Sequence, residues 1–191
     1  MLNEIILAIV QAITEFLPIS SSGHLALISN LISSPDLFFF TALHLASLLA
    51  VVIFTRSEIK NLITFDRKYR KLWLYLIIAT IPAGIVGLLF SDIIEKTLSS
   101  FLFLGIAFIF TGIILFLTRV AYPHSNLNWK NSLLTGVFQA LAVFPGISRS
   151  GMTISSAMIS GIDREKAARF SFLLFIPLAL GAFILELKND V

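Results

Sequence analysis

Cysteine is absent from the 191 residues, which excludes disulfides, thiolate metal sites and a cysteine nucleophile. Charge is scarce: Asp, Glu, Lys and Arg make up 13% of the chain against 57% hydrophobic residues, and mean hydropathy is +0.94. A soluble fold of this size cannot bury so much apolar surface, so the chain belongs in a bilayer. Basic residues are missing before Arg56. With neither a positive flank nor a small-residue cleavage pattern, the start does not read as a secretory signal, and Met1 onward is expected to be mature protein. The formal net charge of +3 sits mostly in loops and gives no reason to expect a nucleic-acid partner.

Four apolar runs, 37–54, 72–90, 101–118 and 167–187, are long enough at about 1.5 Å per residue to cross about 30 Å of hydrocarbon. Two further runs are interrupted. Residues 2–17 lead into Pro18 and the polar stretch Ser20, Ser21, Ser22, Gly23, His24, and 133–144 lead into Pro145, Gly146, Ser148, Arg149, Ser150, Gly151. Each resumes as a short helical piece, 25–32 and 153–159. Irregular backbone cannot face lipid, so both are expected to be re-entrant hairpins of two half-helices. Two ordinary spans joined by surface loops would be the alternative. The expected fold is therefore an all-α polytopic membrane protein, a single membrane domain over 1–191, with two re-entrant helical hairpins and four transmembrane helices.

Orientation follows from the basic residues. Arg56, Lys60, Arg67, Lys68, Arg70 and Lys71 flank one connection, whereas the next has only Lys96 against Asp92 and Glu95. The positive-inside rule makes the first cytoplasmic. Alternation then puts Arg119, Lys130, Arg164, Lys166 and Arg169 on the same side and both termini outside.

The chain also repeats itself. Laying Gln11 on Gln139, an offset of 128 positions, pairs Ala12 with Ala140, Phe16 with Phe144, Ile19 with Ile147, Ser20 with Ser148, Ser22 with Ser150 and Gly23 with Gly151. The register persists to Glu58, Lys60 and Asn61 over Glu186, Lys188 and Asn189. Copy one covers about 1–120 and a shorter copy two about 129–191. Three crossings lie between the copies, and an odd number inverts the second. The two hairpins should then enter from opposite faces and meet near the midplane, where a binding site is expected. This inverted repeat is incomplete: copy two has a hairpin and one span where copy one has a hairpin and three. A naturally short protein and a fragment both fit, and the uncovered flank predicts self-association or a partner helix.

Gln11 and Glu15, four apart, share one face of an otherwise apolar helix. A carboxylate at that depth is functional, paired or wet. Ser20, Ser22 and Gly23 offer hydroxyls and free amides at a helix start, a cradle for phosphate oxygens. Ser21 and His24 are spaced so that a hydroxyl can meet an imidazole if the half-helix begins there. Arg149 is the sole basic residue inside an apolar segment and needs an anion: Glu15, or a phosphate also bound by Gly146, Ser148, Ser150 and Thr153. His44, within a plain span, and His124, in a loop after Pro123, are expected to be structural.

The segments QAITEFLPISSSGH from Gln11 to His24 and PGISRSGMT from Pro145 to Thr153 resemble the two motifs of the undecaprenyl-diphosphate phosphatase (bacitracin-resistance) family. Weaker similarity runs through 42–56, 80–90 and 164–177. The resemblance implies hydrolysis of undecaprenyl diphosphate, a prenyl diphosphate lipid, to the monophosphate and phosphate, in the bacterial inner membrane at a site open to the outer face. It implies Glu15 as the acidic catalytic or metal-binding residue, Ser21 and His24 as candidates for attack or proton transfer, and Arg149 as the phosphate-binding cation. It also implies a divalent cation, Mg²⁺ or Ca²⁺, at Glu15. Gln11 occupies a position that is Glu or Gln in the family. The choice of nucleophile stays open between Ser21, His24 and water. Broken helices in inverted repeats also suit a prenyl-phosphate transporter, and the short second copy an inactive remnant.

Overall fold

A computed structural model describes residues 2–32, 37–64 and 69–189. Among them there is no strand. Ten α-helices follow in order: α1 (Leu2–Thr14), α2 (Ser21–Ser29), α3 (Leu37–Phe54), α4 (Arg56–Ile63), α5 (Arg70–Leu89), α6 (Ser91–Leu98), α7 (Phe101–Leu117), α8 (Trp129–Leu141), α9 (Arg149–Ile159) and α10 (Arg164–Asn189). Three stretches are long and apolar enough to cross a membrane: Arg70–Leu89, Phe101–Val120 and Arg164–Leu185. A fourth candidate joins Phe39–Phe54 to Arg56–Ile63 across a 76° bend. These correspond within a few residues to the four runs read from the sequence and fit a polytopic membrane protein.

The structure differs from the sequence reading at three kinds of place. The charged connection after Phe54 is helical. In α4, Arg56, Ser57 and Lys60 face out while Leu62 joins Leu76, Ala79, Phe170 and Leu174 in a core cluster, an amphipathic pattern that apolar run length alone does not detect. Arg67 and Lys68 lie outside the described residues, as do the side chains of Glu186, Lys188 and Asn189. Secondly, α2 and α9 each begin four residues before the expected apolar piece, because a serine caps each start. The Ser20 hydroxyl accepts from the Gly23 amide at 3.3 Å and the Ser148 hydroxyl from the Gly151 amide at 3.1 Å, which satisfies amides that would otherwise have no partner. Thirdly, Ser91–Leu98 is a helix rather than a plain connection.

The interior is built from small and hydroxylated residues. Helix α9 is enclosed nearly all round, with Ser150, Gly151, Met152, Thr153, Ser155, Ser156 and Ala157 buried, and it packs on α7, α8 and α10. Ser156 donates to the Thr153 carbonyl of its own helix and the Thr153 hydroxyl pairs with that of Ser171 on α10 at 2.6 Å, while the buried Ser155 hydroxyl has no partner among the described residues. Short side chains let helix axes approach where lipid offers no hydrophobic drive to associate. The most extensive pairing is α5 with α8, and its closest point is Gly136. A Cβ there would lie 2.7 Å from the Ala79 carbonyl oxygen and 2.8 Å from Ala79 Cα. Beside it the Gln139 amide donates to that same carbonyl at 3.2 Å.

Gly136→Ala must push α8 off α5. It is expected to destabilise the protein by about 1–3 kcal/mol in thermal unfolding in detergent micelles. Gly112→Ala on α7, where a Cβ meets nothing within 4 Å, should be neutral or slightly stabilising, because alanine is the better helix former.

Candidate active site at the meeting of two helical hairpins

Helices α1 and α2 pack together across the turn 15–20, and α8 and α9 across the turn 142–148. The tips of these pairs interlock. A Cβ on Gly23 would lie 2.9 Å from Gly146 Cα, and one on Gly151 would lie 3.3 Å from the Pro18 carbonyl oxygen. The Ser150 hydroxyl donates to the Leu17 carbonyl at 2.9 Å. Glycine is required at Gly146 for a second reason, its φ of +87°. On its other side Gly146 abuts α7, where a Cβ would meet Ala107 Cβ at 2.7 Å, and the Thr111 hydroxyl accepts from the Ser148 amide at 3.2 Å.

Glu15 stands where the pairs meet. It follows α1 directly, on the buried stripe Leu7, Gln11, Thr14. Its Oε1 accepts from Arg149 Nη2 at 2.6 Å, and its Oε2 accepts from Gln11 Nε2 at 2.7 Å and from the Ser21 hydroxyl. The Arg149 guanidinium also lies over the Phe175 ring of α10, 3.9 Å from its centroid. The ion pair is withdrawn from solvent, with side-chain exposures of 13% for Arg149 and 4% for Glu15. In such surroundings each charge depends on the other and on its hydrogen bonds. Ser21 and Arg149 are therefore both first residues of a capped half-helix, and both reach the same carboxylate.

A cavity of about 970 Å³ opens beside this pair. Glu15, Ser20, Ser21, Ser22, Ser148, Arg149 and Ser150 form its polar part; the rest is mostly apolar and runs past Leu45, Ala83 and Leu88 to Leu98, Phe183 and Ile184. The apolar part thus extends toward the ends of α5 and α10 remote from Arg70 and Arg164.

Other candidates are placed differently. The His24 Nδ1 bonds to the Ser20 carbonyl at 2.7 Å, so the proton is on Nδ1, because a carbonyl only accepts. Its ring stands edge-on to Phe108 of α7 with centroids 5.2 Å apart, and His24 is not among the cavity-lining residues. The half-helix does begin at Ser21, but the Ser21 hydroxyl turns to Glu15 instead of to the imidazole. The bond to His24 instead holds Ser20, which has a φ of +66°, a conformation that costs a non-glycine residue about 1–3 kcal/mol. Gly23 and Gly146 are contact points between the tips, and Thr153 is engaged with Ser171, Arg149 and Ser150 inside the bundle. Conversely His44, read as structural, lines the cavity, as do Ser29 and Asn30. An ionisable residue inside an apolar run was the available signal for His44.

Among the described residues no group of three or more His, Cys, Asp or Glu gathers as a metal site. The oxygens present are the Glu15 carboxylate, the Ser21 hydroxyl and the buried Gln11 Oε1, which has no hydrogen-bond partner. That donor set suits a hard cation whose shell is completed by phosphate oxygens and water, the habit of Mg²⁺, and not a soft or imidazole-seeking metal.

Apolar helices around a buried carboxylate–guanidinium centre fit a polytopic helical membrane protein with an interior polar centre. The chain belongs to the bacitracin resistance protein BacA family, whose description matches residues 4–191. It is 47% identical over 194 residues to an undecaprenyl-diphosphatase of Thermosipho melanesiensis, covering 97% of this chain and 78% of that protein. An undecaprenyl-diphosphatase of Methanococcus maripaludis strain C7 is 45% identical, with 98% and 79% covered. One from Alkaliphilus metalliredigens is 38% identical, with 97% and 76% covered.

Removing one partner of the buried pair should be more harmful than removing both. Glu15→Gln is expected to lower stability by about 3 kcal/mol while the protein still folds, and adding Arg149→Met should recover more than half of the loss. A double-mutant cycle in thermal unfolding measures the coupling.

Proposed function

We propose that this protein hydrolyses the diphosphate of undecaprenyl diphosphate or a similar long-chain prenyl lipid, giving the prenyl monophosphate and inorganic phosphate. The observation that carries the reading is the Glu15 carboxylate, held at once by Arg149 and the Ser21 hydroxyl in the polar part of a cavity whose remaining lining is mostly apolar. A prenyl diphosphate has the same division, an anionic head on a hydrocarbon tail. The relatives named undecaprenyl-diphosphatase supply the substrate class.

The chemistry follows from the pairings. An arriving diphosphate competes with Glu15 for Arg149, whose planar fork matches two phosphoryl oxygens. Released from the ion pair, Glu15 accepts the proton of Ser21 as its oxygen attacks the terminal phosphorus, and the P–O bond to the prenyl monophosphate breaks. The proton passes to that leaving oxygen, or to solvent if the monophosphate departs ionised. Water then attacks the phosphoserine, Glu15 takes a proton from it, and Ser21 is regenerated with release of phosphate. Arg149 and the amides at the starts of α2 and α9 stabilise charge on the transferring group. A divalent cation, Mg²⁺ or Ca²⁺, fits at Glu15 and Gln11 Oε1, where it would neutralise phosphate charge. His24 positions the Ser20–Ser21 turn.

We place the protein in the plasma membrane, with α1–α2 and α8–α9 as re-entrant hairpins of opposite orientation, related by the 128-residue repeat, among four spans that include the bent α3–α4. The basic residues put both termini and the cavity opening on the outer face. Self-association would shield the flank of α8–α9.

The test is release of inorganic phosphate from a long-chain prenyl diphosphate by purified protein in detergent. Glu15→Gln should lower kcat/KM by about 10³-fold and remove the divalent-ion dependence. Arg149→Lys keeps the charge but loses the fork, and an effect of about 10²-fold is expected. Gln11→Glu should stay active with tighter ion dependence. Protein that carries prenyl phosphate across vesicles but releases no phosphate would instead be a transporter.

A further inference from the structure

We propose that His44 is a substrate-contacting residue of the diphosphate site, presenting its Nε2 to phosphoryl oxygens. This rests on the diphosphatase reading above and adds to it a residue that neither motif contains.

The placement of His44 is read from helix α3. Its cavity-facing stripe is Phe40, Thr41, His44, Leu45 and Leu48, the spacing of one helical face. Leu48 belongs to a core cluster with Val51 and Phe175, and Phe16 packs against it. Phe175 is the ring beneath the Arg149 guanidinium, and Phe16 is the neighbour of Glu15. The Leu48 level of α3 is therefore the level of the ion pair. His44 is four residues away, about 6 Å along the axis, on the same cavity wall. A diphosphate is longer than the single phosphate that Arg149 can grip, and one turn along the wall is where its second phosphoryl group would need a partner.

The chemistry of the ring agrees. Nδ1 bonds to the Phe40 carbonyl at 2.9 Å, which places the proton on Nδ1 and fixes the ring against its own helix. Nε2 has no partner among the described residues and belongs to a side chain that lines the cavity. An imidazole that served only to fill an apolar span would have no use for a free nitrogen beside a polar pocket, and intramembrane ionisable residues of this kind mark substrate paths. His24 shows the contrast: its ring lies against Phe108 and it lines no part of the cavity. Neutral, Nε2 accepts from a protonated phosphoryl oxygen; protonated, it donates to an ionised one.

The chain has three histidines, so an imidazole ¹⁵N spectrum of wild-type protein in detergent contains three sets of signals. These are assigned by loss in His44→Gln, or, should that variant not fold, by elimination with His24→Gln and His124→Gln. Titration with methylenediphosphonate is expected to shift the His44 Nε2 signal and leave His124 in place. In turnover of prenyl diphosphate, His44→Gln and His44→Ala should lower kcat/KM at least tenfold with an unchanged thermal midpoint, and His124→Gln should be silent. A His44 signal unmoved by saturating methylenediphosphonate, or wild-type kcat/KM in His44→Ala, overturns the assignment. If wild-type protein shifts the His44 signal but releases no phosphate, the hydrolase reading fails and the His44 contact stands.

Discussion

The structure depends on one ion pair between residues that are 134 positions apart, Arg149 and Glu15. Neither charge is tolerable alone at membrane depth, and neither hairpin can satisfy its own. Bringing the charges together obliges the tips of α1–α2 and α8–α9 to meet. The features around the pair make that meeting possible. Glycines at 23, 146 and 151 allow backbone to touch backbone or a neighbouring ring, and serines at 20 and 148 satisfy the first amides of the half-helices that start there. The Phe175 ring adds a surface on which the guanidinium can lie without water.

The same pair shows how a bundle of apolar helices can hold a charged centre. Glu15 occupies Arg149 where a phosphoryl group would bind, and it draws the Ser21 hydroxyl toward itself where a nucleophile would be activated. The ion pair thus carries the charge pattern that the proposed reaction uses. Around it the bundle is held by small residues and internally bonded hydroxyls. Close axes and hydroxyl pairings such as Thr153 with Ser171 replace the hydrophobic drive that lipid removes. The cavity lies beside this compact centre with walls from α3, α5 and α10, and its lining combines a group of hydroxyls and charges with a larger apolar part.

His24 and His44 illustrate a division that neither motif states. Both spend Nδ1 on a carbonyl four residues back, so both have a defined tautomer and, among the described residues, no partner at Nε2. One ring then packs on α7 and steadies a strained turn, and the other lines the cavity. The distinction is one of helix rotation, not of residue type or local sequence.

Much of this was legible in the amino-acid sequence, because much of it is local. Run length and hydropathy determined the apolar helices, the repeated Ser-x-Ser-Gly marked a turn and helix start in matching positions without revealing the serine caps, and the isolated Glu15 and Arg149 demanded partners of opposite sign. The amphipathic α4 and α6 escaped because short helices with mixed faces lack the run that identifies a span. Only the tertiary structure decided which demands were met by which residues: that Ser21 turns to Glu15 and not to His24, that Thr153 is spent on Ser171, and that His44 and not His24 faces the cavity. The physical reason is range. Caps and periodicity are set by neighbours within a turn or two, whereas the direction a side chain finally faces is set by packing between helices far apart in the chain, as where α7 meets α2 and α10 meets α3.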